Sequence, residues 1–119
     1  MSDRSILVVD DDSLTRETIC EVLMDSGWSV SSARRGLEAW ERLERLPSDL
    51  VVSDIDMPDI SGFELLDRMH RAQITSPLVF ISARGESASA LATAAGAAGY
   101  FTKPVQLAPF TERIAALLG

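Results

Sequence analysis

Cysteine, histidine, lysine and tyrosine each occur once in the 119 residues, as Cys20, His70, Lys103 and Tyr100. One cysteine excludes a disulfide framework and a thiolate zinc site. One histidine excludes a multi-histidine metal site. No apolar run approaches the roughly 18 residues of a membrane span. The opening Met1-Ser2-Asp3-Arg4 has no basic stretch followed by an apolar core, so no signal peptide is expected and the cytoplasm is the expected location. Basic residues are scarce too: 11 Lys and Arg stand against 18 Asp and Glu, for a net charge of −7. Without a basic run, such a chain repels nucleic acid and anionic membrane surfaces, and neither is expected as a partner.

What is present fits one globular unit. The length suits a single domain over residues 1–119, and 46% hydrophobic with 24% charged residues is ordinary for a folded chain. Short apolar runs alternate with amphipathic segments. Ile6-Leu7-Val8-Val9, Leu50-Val51-Val52 and Leu78-Val79-Phe80-Ile81 read as strands buried on both faces. Ala98 to Thr102 is a weaker copy, and Trp28-Ser29-Val30-Ser31 alternates as an edge strand does.

Helical patterns separate them. Leu14 to Ser26 carries Ile19, Val22 and Leu23 on one stripe, with Arg16, Glu17, Glu21 and Asp25 outward and Gly27 at the stop. Leu37 to Leu46 places Leu37, Trp40 and Leu43 together. Ser61-Gly62-Phe63-Glu64 reads as a capping box ahead of Leu65, Leu66 and Met69. Helices over Ser87 to Ala95 and Gln106 to Leu118 complete five β-α repeats, which predicts a parallel sheet with helices on both faces. Trp28 and Trp40 are expected in the core and His70 on the exposed side of the third helix.

In such a sheet, ligands bind beyond the carboxyl ends of the strands. Asp10, Asp11 and Asp12 follow the first apolar run, Asp54 and Asp56 the third, Ser82 the fourth, and Lys103-Pro104 the fifth. If the strand order is 2-1-3-4-5, four adjacent strands deliver carboxylates, a hydroxyl and an ammonium to one place. Asp12 also suits a plain helix cap.

Taken together, Val8-Val9-Asp10-Asp11, Asp54-Ile55-Asp56-Met57-Pro58 with Gly62, Ile81-Ser82-Ala83 and Gly99 to Pro104 resemble the receiver domain of two-component response regulators. The resemblance covers essentially the whole chain. It implies an α/β, flavodoxin-like (βα)5 doubly wound sheet of order 2-1-3-4-5. It also implies Mg²⁺-dependent phosphorylation of Asp54 by a sensor histidine kinase or histidine phosphotransfer protein docking on the first helix.

By the same resemblance, Asp11, Asp54 and the main-chain carbonyl of Asp56 would ligate the cation, with Asp10 acting through water. Lys103, Ser82 and the amides of Asp56 and Ala83 would hold the phosphoryl group, and the Lys103-Pro104 bond would be cis. Ser82 and Tyr100 would form the switch, read on the face of the fourth helix, fifth strand and fifth helix. Such a protein catalyses only its own aspartyl phosphorylation and dephosphorylation, without multiple turnover on an outside substrate. Asp56 and Arg84 flank the acceptor at variable positions, where they are expected to approach each other and tune phosphoryl lifetime.

No residue from Ser87 through Thr102 is charged, and seven alanines fall between Ala88 and Ala98. That composition suggests a fourth helix able to contribute to a homodimer or effector interface. Alanine's high helix propensity alone would also account for it. The end at Gly119, just after the fifth helix, suits either a stand-alone receiver or one cut from its output domain. Asp54-Ile55-Asp56 also fits the Asp-x-Asp motif of haloacid-dehalogenase-like phosphatases, but Pro58 stands where that family wants threonine or valine.

Overall fold

The apolar runs become the centre of a doubly wound sheet in the computed structural model, which describes residues 4–119. Met1, Ser2 and Asp3, part of the opening from which no signal peptide is expected, lie outside the described residues. The elements are β1 (Ser5–Val9), α1 (Ser13–Asp25), β2 (Ser29–Ala33), α2 (Gly36–Arg45), β3 (Leu50–Asp54), α3 (Gly62–Arg71), β4 (Leu78–Ser82), a 3₁₀ turn (Gly85–Ala88), α4 (Ser89–Ala94), β5 (Gly99–Thr102) and α5 (Leu107–Leu118). All strand pairs are parallel, in the order β2-β1-β3-β4-β5.

Strand alternation explains why the runs are apolar throughout. Leu7 and Val9 pack on one side with residues of α2, α3 and the Ala88–Ala92 segment. Ile6 and Val8 pack on the other with Ile19 and Leu23 of α1 and Phe110, Ile114 and Leu118 of α5. Both sheet faces are therefore covered, and each fully buried large apolar side chain contributes about 1.5–3 kcal/mol. No helix among the described residues is long and apolar enough to cross a membrane.

The structure corrects four local expectations. The fourth helix is not one regular segment from Ser87: a 3₁₀ turn leads into six α-helical residues. Leu37 leaves the α2 stripe and is 42% exposed, while Ala39 and Leu43 are buried. Trp28 and Trp40 pack against the two cores from their edges and are only partly buried. The capping box is half formed: Ser61 Oγ accepts from the Glu64 amide, but the Glu64 carboxylate turns to Arg68 and Arg71.

Candidate functional site: an acidic pit at the carboxyl ends of the strands

The sheet order brings the ends of β1, β3, β4 and β5 side by side. Asp10 follows β1 and has no solvent exposure, whereas Asp11 is exposed. Asp54 ends β3 and is recessed, its side chain retaining 8% exposure. Gly62 makes this packing possible: a Cβ there would lie 2.4 Å from the Asp54 carbonyl oxygen and 2.7 Å from Phe80.

Carboxylate oxygens of Asp10, Asp11 and Asp54 all lie within 4.8 Å of one another. Lys103 enters the pit from the end of β5, its Nζ 2.9 Å from Asp10 Oδ2 and 3.2 Å from Asp54 Oδ2. The first approach is an ion pair without hydrogen-bond alignment, so Asp10 Oδ2 is the one buried side-chain polar atom among the described residues with no hydrogen bond. The Lys103-Pro104 peptide bond is cis.

Electrostatics follow from this crowding. Desolvation, then the charge of Asp10, push the Asp54 carboxyl above its ordinary value, and Lys103 counters only in part. For Lys103, desolvation opposes the charged form, yet its close contacts with Asp10 and Asp54 outweigh it and raise the ammonium's value. An oxygen-only donor set with a buried unbonded carboxylate oxygen suits a hard divalent cation such as Mg²⁺, which takes oxygen ligands and keeps waters.

The rim is built from the loops. Ser82 ends β4, is fully buried, and its Oγ accepts from the Arg84 amide. Ala83 is exposed beside it. The Asp56 backbone, two residues on, favours the charged form of the Asp54 carboxyl. Arg84 reaches across to Asp56 with two bonds, 2.9 and 2.6 Å long, so the two flanking residues do meet. Tyr100 is partly buried, and its hydroxyl donates to the Gly85 carbonyl in the loop after β4. Asp12 accepts from the Thr15 amide and hydroxyl as the N-cap of α1, which draws its carboxyl below the ordinary value.

Two participants escaped the sequence reading. Arg16, expected outward, is partly buried and donates from Nη1 to the Asp10 carbonyl at 2.8 Å. Its position one turn past the Asp12 cap was the available signal. Asp59 accepts from the Gly36, Leu37 and Ile60 amides. Desolvation is the largest single influence on it and acts upward, but those amide bonds together hold its carboxyl below the ordinary value. His70 is exposed on α3, away from the pit-lining residues.

The family model of the response regulator receiver domain matches residues 6–115. Among curated relatives, the chain is 36% identical over 119 residues to the response regulator protein PilR of Pseudomonas aeruginosa, covering 99% of this chain and 27% of PilR. It is 32% identical over 114 residues to the transcriptional regulatory protein TrcR of Mycobacterium tuberculosis, covering 95% of this chain and 44% of TrcR. The chain thus spans less than half the length of either regulator.

Solved structures agree in shape. A CheY-like response regulator receiver domain protein from Methanospirillum hungatei superposes with a TM-score of 0.89 at 29% identity, covering 98% of this chain and 94% of that one. The receiver domain of the Francisella response regulator 1452 gives 0.91 at 26% identity, covering 98% and 97%. Since the matched residues run from the first strand into the last helix, the chain belongs to the response regulator receiver domain family of two-component systems.

Proposed function

We propose that Asp54 accepts a phosphoryl group from a phosphohistidine on a histidine kinase or histidine phosphotransfer protein, and that the charge so added resets the face formed by α4, β5 and α5. The observation that carries this reading is the gathering of Asp10, Asp11 and Asp54 oxygens within 4.8 Å of one another, with the ammonium of Lys103 against Asp10 and Asp54. Asp11 and Asp54, with the main-chain carbonyl of Asp56, would hold Mg²⁺, and Asp10 would act through water. Bound there, Mg²⁺ would offset the negative charge shared by the carboxylates and the incoming phosphoryl group.

The chain's own residues do the rest. An Asp54 oxygen forms a bond to phosphorus as the donor's phosphorus–nitrogen bond breaks, and that electron pair stays on the imidazole nitrogen. Lys103, already against Asp54, then meets a phosphoryl oxygen. Ser82 Oγ is occupied as an acceptor, which leaves its hydrogen to donate to a second oxygen. The amides of Asp56 and Ala83 complete the cradle. Water later attacks phosphorus, and the pair of the broken P–O bond returns to Asp54. Each cycle begins and ends on Asp54, so no multiple turnover on an outside ester is expected.

The donor docks on α1, in the cytoplasm. Beside that helix, Leu14, Thr18, Pro104 and Leu107 help line a mainly apolar cleft that reaches Lys103. Output runs through Ser82 and Tyr100: moving Ser82 toward the phosphoryl group draws on the loop whose Gly85 carbonyl holds the Tyr100 hydroxyl. Ala90, Leu91, Thr93 and Ala94 face outward on α4 without charge, a surface suited to an effector or a second copy of this chain.

Incubation with a small phosphodonor tests the reaction: phosphoryl incorporation should need Mg²⁺ and vanish with chelator. Incorporation indifferent to chelator would contradict the cation's role. Ala90→Glu should weaken association of the phosphorylated protein; unchanged sedimentation and effector affinity would remove α4 from the interface.

A further inference from the structure

The segment between β3 and α3 starts at Asp54 in the pit, and its far end is fastened to a helix from elsewhere in the chain. Helix α2 begins with Arg35 as N-cap, and Arg35 makes no side-chain capping bond. Asp59 supplies the missing acceptors. Its Oδ1 takes the Gly36 amide at 3.0 Å and the Ile60 amide at 2.7 Å, while Oδ2 takes the Leu37 amide at 2.9 Å. A carboxylate here satisfies two orphan amides and meets the positive end of the helix dipole.

The contact is also sterically matched. A Cβ on Gly36 would lie 2.4 Å from Ile60 Cγ1 and 3.0 Å from the Ile60 carbonyl oxygen. Two further ties hold the same segment. The Gly62 amide bonds to the Ile55 carbonyl at 2.7 Å, and Asp56 accepts two bonds from Arg84 in the loop after β4. The segment is thus anchored at its base, at α2 and at the loop after β4. Asp56 itself carries the tie to the loop after β4 and stands two residues beyond Asp54, whose charged form its backbone favours.

We infer that Asp59 is a positioning residue for the cation site: by clamping the segment to α2, it holds the Asp56 backbone at the pit. This inference rests on the reading of the Asp56 carbonyl as a Mg²⁺ ligand. It gives α2 an energetic connection to the phosphorylation site, and coupling of this kind is reciprocal. Mg²⁺ binding should therefore tighten the Asp59 contact with α2, as that contact tightens Mg²⁺ binding.

The test titrates wild type, Asp59→Ala and Asp59→Asn with Mg²⁺ alone by calorimetry, at a temperature where each is fully folded by circular dichroism. Asp59→Ala should bind several-fold more weakly, and Asp59→Asn, which keeps one acceptor oxygen, should fall between. Hydrogen exchange supplies a second readout: Mg²⁺ should slow exchange at the Gly36 and Leu37 amides in wild type and have no effect there in Asp59→Ala. Variants with lowered stability but wild-type Mg²⁺ affinity, and exchange at these amides indifferent to Mg²⁺, would reduce Asp59 to a helix cap and overturn the inference. If wild type bound no Mg²⁺, the inference would fall with the proposed cation site. If wild type bound Mg²⁺ but never took up a phosphoryl group, the phosphoacceptor reading alone would fail.

Discussion

Lys103 lies closer to Asp10 than to Asp54, 2.9 Å against 3.2 Å between charged atoms. Asp10 is fully buried, and its nearer oxygen has no hydrogen bond, so this ammonium is the main compensation for a costly internal charge.

Lys103→Ala should therefore destabilise the cation-free protein, by up to about 3 kcal/mol for a buried pair broken on one side. Mg²⁺ should recover part of the loss by binding the same carboxylates. Urea denaturation in chelator and in Mg²⁺ checks this; equal losses in both conditions would mean that the cation does not share the Lys103 partners.

Asp54→Asn should raise the unfolding midpoint of the chelated protein at neutral pH by a few degrees. The substitution removes repulsion from Asp10 and leaves Lys103 paired with Asp10. The sign with pH is definite. The carboxyl value of Asp54 is raised by the fold, so its contribution is fully present below the unfolded value of about 4 and is lost as pH rises through the folded value. The advantage of Asn should consequently shrink as pH falls toward 4, and thermal scans across that range measure it. A pH-independent difference would refute the argument.

Arg84→Ala should shorten the life of the phosphorylated state several-fold, because the Arg84–Asp56 bridge ties the loop after β4 to the residue two beyond Asp54 and would hinder water there. Both side chains are largely exposed, at 43% and 58%, so stability should be essentially unchanged. Phosphate release after removal of excess donor provides the rate. An unaltered rate would leave the bridge without influence on hydrolysis.

Tyr100→Phe removes only the hydroxyl bond to Gly85. Phosphorylation should proceed at the wild-type rate, while amides of the 83–88 loop exchange faster in the unphosphorylated protein. Unchanged loop exchange would show that the hydroxyl does not restrain the loop.

Much of this was legible in the sequence because a parallel sheet leaves two plain marks. Strands covered on both faces must be apolar at every position, as Ile6–Val9 and Leu78–Ile81 are, and the residues just beyond them mark where a ligand is met. Asp10, Asp11, Asp54, Ser82 and Lys103 could be grouped on that basis alone. Other features depend on contacts that no local pattern encodes. Asp59 caps a helix 23 residues earlier in the chain, and Arg16 turns back to a carbonyl that exists as an acceptor only once β1 has ended. The start of α4 is not legible because no cap, proline or charged residue punctuates Ser87 to Ala95, so nothing local marks where the 3₁₀ turn gives way to α-helix.

The most direct test compares wild type and Asp54→Asn by intact mass after incubation with a small phosphodonor and Mg²⁺. Wild type should gain one phosphoryl group and Asp54→Asn none; a gain in both, or in neither, would overturn Asp54 as the phosphoacceptor.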